Sequence, residues 1–395
     1  MSDMLHREKL LQAYDLMREL NIDAWLIPTS DASDPCLPLI PGVATVGNGA
    51  FLFAKQGRAW AFCSSIDAQD IEASGLFDTV VKYAATPDAD LRGVLETLRP
   101  ATLALNYSRD DHLCDGLTVG RFRHLKKVLD GLTLEFASSE PLLRRLRSIK
   151  SGLEIERLSE AIRLTEAIYA EAAGRMRPGM SEKDIGALFV DGMAARHVVN
   201  GLDGTLAMPM VLKTNIAHRP PGDYVVEPGD LVIVDFSVAY QGYCSDIART
   251  FYFLKPGETE APPAYRAAFA AVFDAISAAA AAMRPGVTGA DVDAAARHLL
   301  IERGYPPISH ATGHQIGQFT HDGGAILGPA WQRYGNTPHI PLEAGMVFTL
   351  EPTILPPEPP YILSEENVLV TADGVRFLSE RQASLILIPD REEKS

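Results

Sequence analysis

Cysteine is scarce in this chain: 395 residues hold four, Cys36, Cys63, Cys114 and Cys244. None forms a C-x-x-C pair and their spacing is irregular, which argues against a disulfide framework in a chain this rich in core residues. Basic runs are absent too. The formal charge is −15 with a pI near 5.1, so a polyanion is repelled by the mean field and no nucleic-acid partner is expected. The opening MSDMLHREKLLQAYDLM has no apolar stretch of the kind a secretory leader needs. No uninterrupted run of 18 apolar residues occurs; the nearest, AAFAAVFDAISAAAAAM, is broken by Asp274 and reads as a packed helix. These absences set the expectation of a cytoplasmic protein with no membrane partner.

What is present is a globular composition, 47% hydrophobic and 22% charged, over a length that exceeds one ordinary core. Leu10, Tyr14, Met17 and Leu20 fall at helical spacing. Ala24–Ile27 is an extended apolar run. Phe51–Ala54 and Ala59–Phe62 flank a Lys-Gln-Gly-Arg turn and read as a hairpin. Ala101–Leu105 and Leu132–Phe136 read as further strands, with Leu125–Leu129 in a helix between them. Strands alternating with helices predict an α/β domain over 1–145, joined through the Arg-rich stretch Leu142–Lys150 to a second domain over 146–395.

The second domain repeats itself. A long helix over Glu154–Arg175 stops at Met176-Arg177-Pro178-Gly179, and Ser181-x-x-Asp184 caps the next. The same phrase returns as Met283-Arg284-Pro285-Gly286 with Thr288-x-x-Asp291. A second pair follows in the same order. Val226-Glu227-Pro228-Gly229 leads through an apolar run to Asp235, and Leu342-Glu343-Ala344-Gly345 leads through another to Glu351. Two related halves of helices followed by strands are therefore expected. A pseudo-two-fold packing would turn Asp235 and Glu351 toward one cavity.

Chemistry-bearing residues cluster around those strands. A carboxylate in an apolar strand costs several kcal/mol unless a cation or hydrogen bonds stabilise it. Asp246 follows Asp235 across a Gln241-Gly242 turn, so antiparallel strands could set the two side by side. The bland alternative is a surface Asp246–Arg249 ion pair with Asp235 merely at a strand end. His310, His314 and His321 fall within twelve positions of a chain that has ten histidines. Alone they could line a polar loop. Glu351 ends one apolar strand and Glu365 opens another. Two Asp, two Glu and one His form an oxygen-rich set that suits two Mn²⁺, Zn²⁺ or Co²⁺ ions.

The strings Val234-Asp235-Phe236, Ser245-Asp246-Ile247-Ala248-Arg249-Thr250, His310-Ala-Thr-Gly-His314-x-x-Gly317, Thr349-Leu350-Glu351-Pro352 and Glu365-Glu366-Asn367-Val368-Leu369-Val370-Thr371 resemble the pita-bread metallopeptidases. That family includes methionine aminopeptidase, Xaa-Pro aminopeptidase, prolidase and the non-peptidase creatinase. The segment before them resembles the N-terminal domain of the creatinase, prolidase and aminopeptidase P branch. The resemblance implies an α/β N-terminal domain of creatinase/prolidase type and an α+β pita-bread catalytic domain, in a homodimer. It implies Asp235 on a first metal, Asp246 and Glu365 bridging both, and His314 and Glu351 completing the second. The resemblance selects Glu365 over Glu366, because the family's ligand sits six residues before the Thr of Val-Leu-Val-Thr; strand alternation would then turn Glu366 the other way. By the same resemblance His218 lines the substrate pocket, His321 binds the scissile carbonyl or its oxyanion, His310 stands at the site's edge, and Glu351 also carries a proton to the leaving nitrogen.

The implied substrate is a small peptide with proline at its second position, a dipeptide first of all. The alternatives are an Xaa-Pro aminopeptidase for longer chains, a small-metabolite hydrolase or lyase of the same fold, and a binding module without chemistry. Five positions depart from the family pattern: Ser237, Asp322, Thr353 and the pair Leu363-Ser364, which stands where Arg-Ile is usual. Arg219, Arg333 and Arg376 are the candidates to replace the lost cation. Trp331 and Tyr334 are candidate walls for a prolyl ring, or equally core aromatics.

Overall fold

The computed structural model describes residues 2–202, 207–213 and 219–390. The chain divides after Arg147 into two compact units, Met1–Arg147 and Ser148–Ser395.

The first unit is built on a six-stranded mixed sheet. Its order is Thr79–Lys82, Arg58–Cys63, Asn48–Ala54, Ala24–Ser30, Thr102–Leu105, Glu135–Ser138. Successive strand residues point to opposite faces, and the apolar positions occupy both. Trp25, Ile27, Phe51 and Phe53 pack on one face with Ala13 and Met17 of the helix Ser2–Glu19. Ala24, Leu26, Leu52 and Phe62 pack on the other with Leu91 and Leu95 of the helix Asp88–Leu98. A sheet covered on both sides needs near-continuous apolar strands, which is what these sequences are. The expected hairpin pairs Phe51 with Ala61 and Ala54 with Arg58.

One expectation needs correction here. The last strand is Glu135–Ser138, not Leu132–Phe136, because its parallel register with Thr102–Leu105 sets Phe136 opposite Leu103. The Arg-rich stretch Leu142–Lys150, within which the two units divide, lies mostly in a helix, Glu140–Ser148. Its Leu142, Leu143 and Leu146 are buried in the first unit's core, at helical spacing that the arginines between them obscured.

The second unit is made twice. Helices Gly152–Arg175 and Glu182–Arg196 precede the antiparallel strands Leu231–Phe236 and Ile247–Phe253. Helices Pro263–Ala282 and Gly289–Glu302 precede the antiparallel strands Val347–Leu350 and Glu366–Val370. Both second helices open with a reciprocal capping box, Ser181 with Asp184 and Thr288 with Asp291. Gly179 and Gly286 share φ of 88°, a value open to glycine. Their N–H groups donate to Val226 and Leu342 carbonyls, both at 2.8 Å. Gly229 donates to Phe253 and Gly345 to Val370, each just before its first strand.

Among the described residues one helix, Pro263–Ala282, is long and apolar enough to cross a membrane. Ala268, Phe269, Val272, Ala275, Ile276 and Ala279 on it are buried against Val292, Ala296, Phe348 and Leu350, so its apolar stripe is a core contact.

Candidate metal centre

Asp235 lies on the strand Leu231–Phe236 opposite Ala248, and Asp246 immediately precedes the partner strand. The two strands are joined by way of a tight hairpin in which Gln241 and Gly242 both have positive φ (48° and 81°). Tyr169, from the helix Gly152–Arg175, donates to or bridges both strands, with its hydroxyl 2.9 Å from the Val234 carbonyl and 2.7 Å from the Ile247 carbonyl. In the other half, Glu351 follows the strand Val347–Leu350, and its N–H donates to the Thr312 carbonyl at 2.8 Å. Thr349 Oγ1 accepts from the His314 N–H at 3.1 Å. Glu365 N–H donates to the Ala248 carbonyl at 3.1 Å, which brings the second half's last strand onto the first half's hairpin. Asn367 closes the joint by accepting from the Asp246 N–H and donating to the Asp246 carbonyl.

Three of the five expected side chains meet directly, Glu351 stands against one of them, and Asp235 acts on Asp246, Glu351 and Glu365 through its charge. Ligand atoms of Asp246, His314 and Glu365 lie within 4.8 Å of one another. His314 Nε2 is 3.7 Å from Asp246 Oδ2 and 3.4 Å from Glu351 Oε1. Asp246 and Glu365 form the floor, at 4% and 2% exposure, while Asp235 and Glu351 are only partly covered. Burial pushes Asp235 up to about 7, and burial with the Asp235 charge pushes Glu351 up to about 8. Asp246 and Glu365 rise well above the carboxylate range, through burial first and then through the neighbouring carboxylates. Burial, then the nearby His321, lowers His314 to about 3. Neutral imidazole among crowded carboxylates is the state that ligates a metal.

Asp235 Oδ1 and Asp246 Oδ1 are buried with no hydrogen-bond partner. Acceptors of this kind cost free energy unless something positive meets them. A divalent cation does so, and the four-oxygen-residue, one-nitrogen-residue donor set suits Mn²⁺, Zn²⁺ or Co²⁺.

A comparison with known families agrees with this chemistry: the model of metallopeptidase family M24 matches residues 156–372. The chain belongs to metallopeptidase family M24. An uncharacterized peptidase of Staphylococcus aureus is 27% identical over 332 residues, covering 84% of this chain and 87% of that one. Among solved structures, the X-Pro aminopeptidase of Thermotoga maritima superposes with a TM-score of 0.72 at 24% identity, over 96% of this chain and 99% of the other. The Xaa-Pro dipeptidase of Bacillus anthracis gives 0.73 at 24% identity, over 97% and 99%. This M24 chain therefore has an α/β N-terminal domain followed by a pita-bread domain.

The remaining sequence-predicted residues fall as follows. His321 is exposed, its ring 4.2 Å from that of His314. His310 is half-buried, with Nε2 2.8 Å from Thr353 Oγ1, so the threonine found in place of the family glycine has a partner. His218 lies outside the described residues. Trp331 and Tyr334 stack at 5.9 Å with 11° between planes, and Arg333 lies 4.5 Å from the Trp331 ring centroid. They form a partly exposed platform, not a core pair. Arg219 is committed to Glu182, at 2.6 and 2.8 Å. Arg333 donates to the Ser309 carbonyl and the Tyr334 hydroxyl, both at 3.0 Å. Arg376 is exposed on the strand Val375–Phe377. The hairpin alternative, an Asp246–Arg249 surface pair, does not form: Arg249 is buried and bonds Glu366 at 3.0 Å.

Glu366 thus points away from the centre, its oxygens taken by Arg249, Ser379 and the Gln382 N–H. Exchanging Arg249 for Leu in this M24 protein leaves that carboxylate buried without its cation. A loss of about 3–5 kcal/mol in urea unfolding is expected; an unchanged midpoint would show that the ion pair contributes little. Sequence reasoning missed Tyr169, Thr349 and Asn367. The signal available for the last two was a polar residue inside the apolar run MVFTL and an Asn leading into the apolar run VLV.

Proposed function

We propose that the chain is an exopeptidase that uses two divalent cations to hydrolyse the bond before proline, with Xaa-Pro dipeptides as its first substrates. The observation that supports this reading is the meeting of Asp246, His314 and Glu365 within 4.8 Å, with Glu351 against His314 and buried oxygens of Asp235 and Asp246 that lack a hydrogen-bond partner. In this reading Asp235, Asp246, His314, Glu351 and Glu365 hold the ions. When bound, the ions supply Lewis acidity and a water-derived nucleophile at neutral pH.

The chain's own residues do the rest. Asp235, partly exposed, accepts from the substrate's free amine, which confines cleavage to the N-terminal residue. Glu351 beside it takes a proton and returns one to the departing proline nitrogen. His321 at the mouth donates to the scissile carbonyl oxygen as charge develops there. His310, tied to Thr353, borders the site, and His218 is assigned to the substrate pocket by family resemblance. The same resemblance supports a homodimer.

A second reading, an aminopeptidase on longer peptides, is favoured by one observation. Arg219 already has Glu182 and Arg333 already donates to a carbonyl, so neither is reserved for a substrate carboxylate. Paired assays decide. Xaa-Pro and Xaa-Pro-Yaa-Zaa are incubated with enzyme and Mn²⁺, Zn²⁺ or Co²⁺ in turn. Cleavage confined to the dipeptide supports the first reading, cleavage of the tetrapeptide the second. Cleavage of neither by a metal-loaded protein overturns both.

A further inference from the structure

One buried charge in the second unit that the proposed chemistry leaves unused is Lys150. Its side chain is 1% exposed and its Nζ donates to Asp322 Oδ2 at 2.8 Å, where Asp322 is 2% exposed. An ion pair so far from water gains little over an apolar pair in net stability, so stability is a weak reason for it to be there. What it offers is direction, and its surroundings are all parts of the centre.

Asp322 is the residue after His321, and its own N–H donates to the Gln315 carbonyl at 2.9 Å, next to His314. At the other end, the Lys150 N–H donates to the Gly345 carbonyl at 2.9 Å, and Ile149 bridges Met346. Gly345 and Met346 lead directly into the strand that ends at Glu351. Lys150 therefore joins the root of the Glu351 strand, through its backbone, to the His321 segment, through its ammonium. The close packing extends to Gly317 of the His314-x-x-Gly317 string. A Cβ there would stand 2.0 Å from Asp322 Oδ2 and 2.8 Å from Lys150 Nζ, so this glycine leaves the space that the pair fills.

We propose that Lys150 is a positioning residue which, through Asp322, sets where the His321 ring stands over His314 relative to Glu351. The proposal deepens the peptidase reading and rests on it for His321's role in turnover. The His321 ring contacts that of His314 at 4.2 Å, and the peptide that carries it is held at the next residue by the Asp322 side chain and N–H.

The test uses the full-length protein with Mn²⁺ added. Lys150→Met leaves a buried carboxylate unpaired and can fail to fold; the double variant Lys150→Met with Asp322→Asn removes both charges and keeps the volume. Three quantities are read for each: bound metal, kcat and KM on an Xaa-Pro dipeptide, and the ¹³Cε1–¹H signal of His321, assigned by its loss in His321→Gln. We expect metal content and KM near wild type, kcat down about ten- to a hundredfold, a displaced His321 signal, and partial recovery of both in Lys150→Arg. A folded double variant with unchanged kcat and an unmoved signal overturns the proposal. If the wild type cleaves no peptide with proline second, the peptidase reading falls, and the His321 signal alone then decides: moved, the pair positions the ring; unmoved, it does not.

Discussion

Replacing Asp246 with Asn is expected to lower kcat/KM by about a thousandfold or more while making the metal-free protein more stable at pH near 8. The two effects have one origin. Asp246 is buried, one of its oxygens has no partner, and the charges of Asp235 and Glu351 raise its pKa further. In metal-free protein that carboxylate is an unfavourable buried charge, and removing it relieves repulsion. With metal present the same group is a ligand, and losing several kcal/mol of Lewis-acid stabilisation corresponds to about three decades in rate. Glu365→Gln should behave alike, since burial and three neighbouring carboxylates raise it too. Glu366→Gln is the contrast: its oxygens serve Arg249, Ser379 and Gln382, so it should lose stability and keep activity per folded molecule. Activity assays with chelator-stripped and reloaded protein, alongside thermal unfolding, check both arms. A fully active Asp246→Asn protein would remove this residue from the centre.

The second large effect is a pH-dependent response to metal. Asp235 at about 7 and Glu351 at about 8 sit above ordinary carboxylate values, and Asp246 and Glu365 are raised as well. Between pH of about 4 and 8 the folded, metal-free chain therefore holds protons that the unfolded chain releases. More protons on the folded side means that stability falls as pH rises across this window. A divalent cation replaces those protons and removes the penalty. Added Mn²⁺ or Zn²⁺ should thus shift Tm little at pH near 5 and by about 5–10 °C at pH near 8, at ligand well above its Kd. Differential scanning calorimetry with and without chelator measures it. A metal shift that is equal at both pH values would mean that the carboxylates do not share the ions' place.

Much of the centre was legible in the chain because strand chemistry is local. An Asp at the end of Leu231-Val-Ile-Val and a Glu at the end of Met346-Val-Phe-Thr-Leu are conspicuous against apolar neighbours, whereas the choice of Glu365 over Glu366 came from the resemblance to the family motif, with alternation turning Glu366 away. The repeated Pro-Gly and capping-box phrases were equally plain, since a cap is written within four residues. The helical form of the connector was not legible, for the opposite reason. Leu142, Leu143 and Leu146 show their purpose only against the sheet that they cover, and the arginines between them dominated the composition.

By itself, then, the amino-acid order determined which side chains could ligate, where helices begin and that the second unit is doubled, since all three depend on neighbours within a few positions. Only the tertiary structure decided that Asn367 holds Asp246, that Arg249 takes Glu366, and that Lys150 reaches Asp322 across the fold. Those pairings join residues more than a hundred positions apart. A buried charge selects its partner by distance in space, through desolvation and Coulomb attraction that no local pattern encodes.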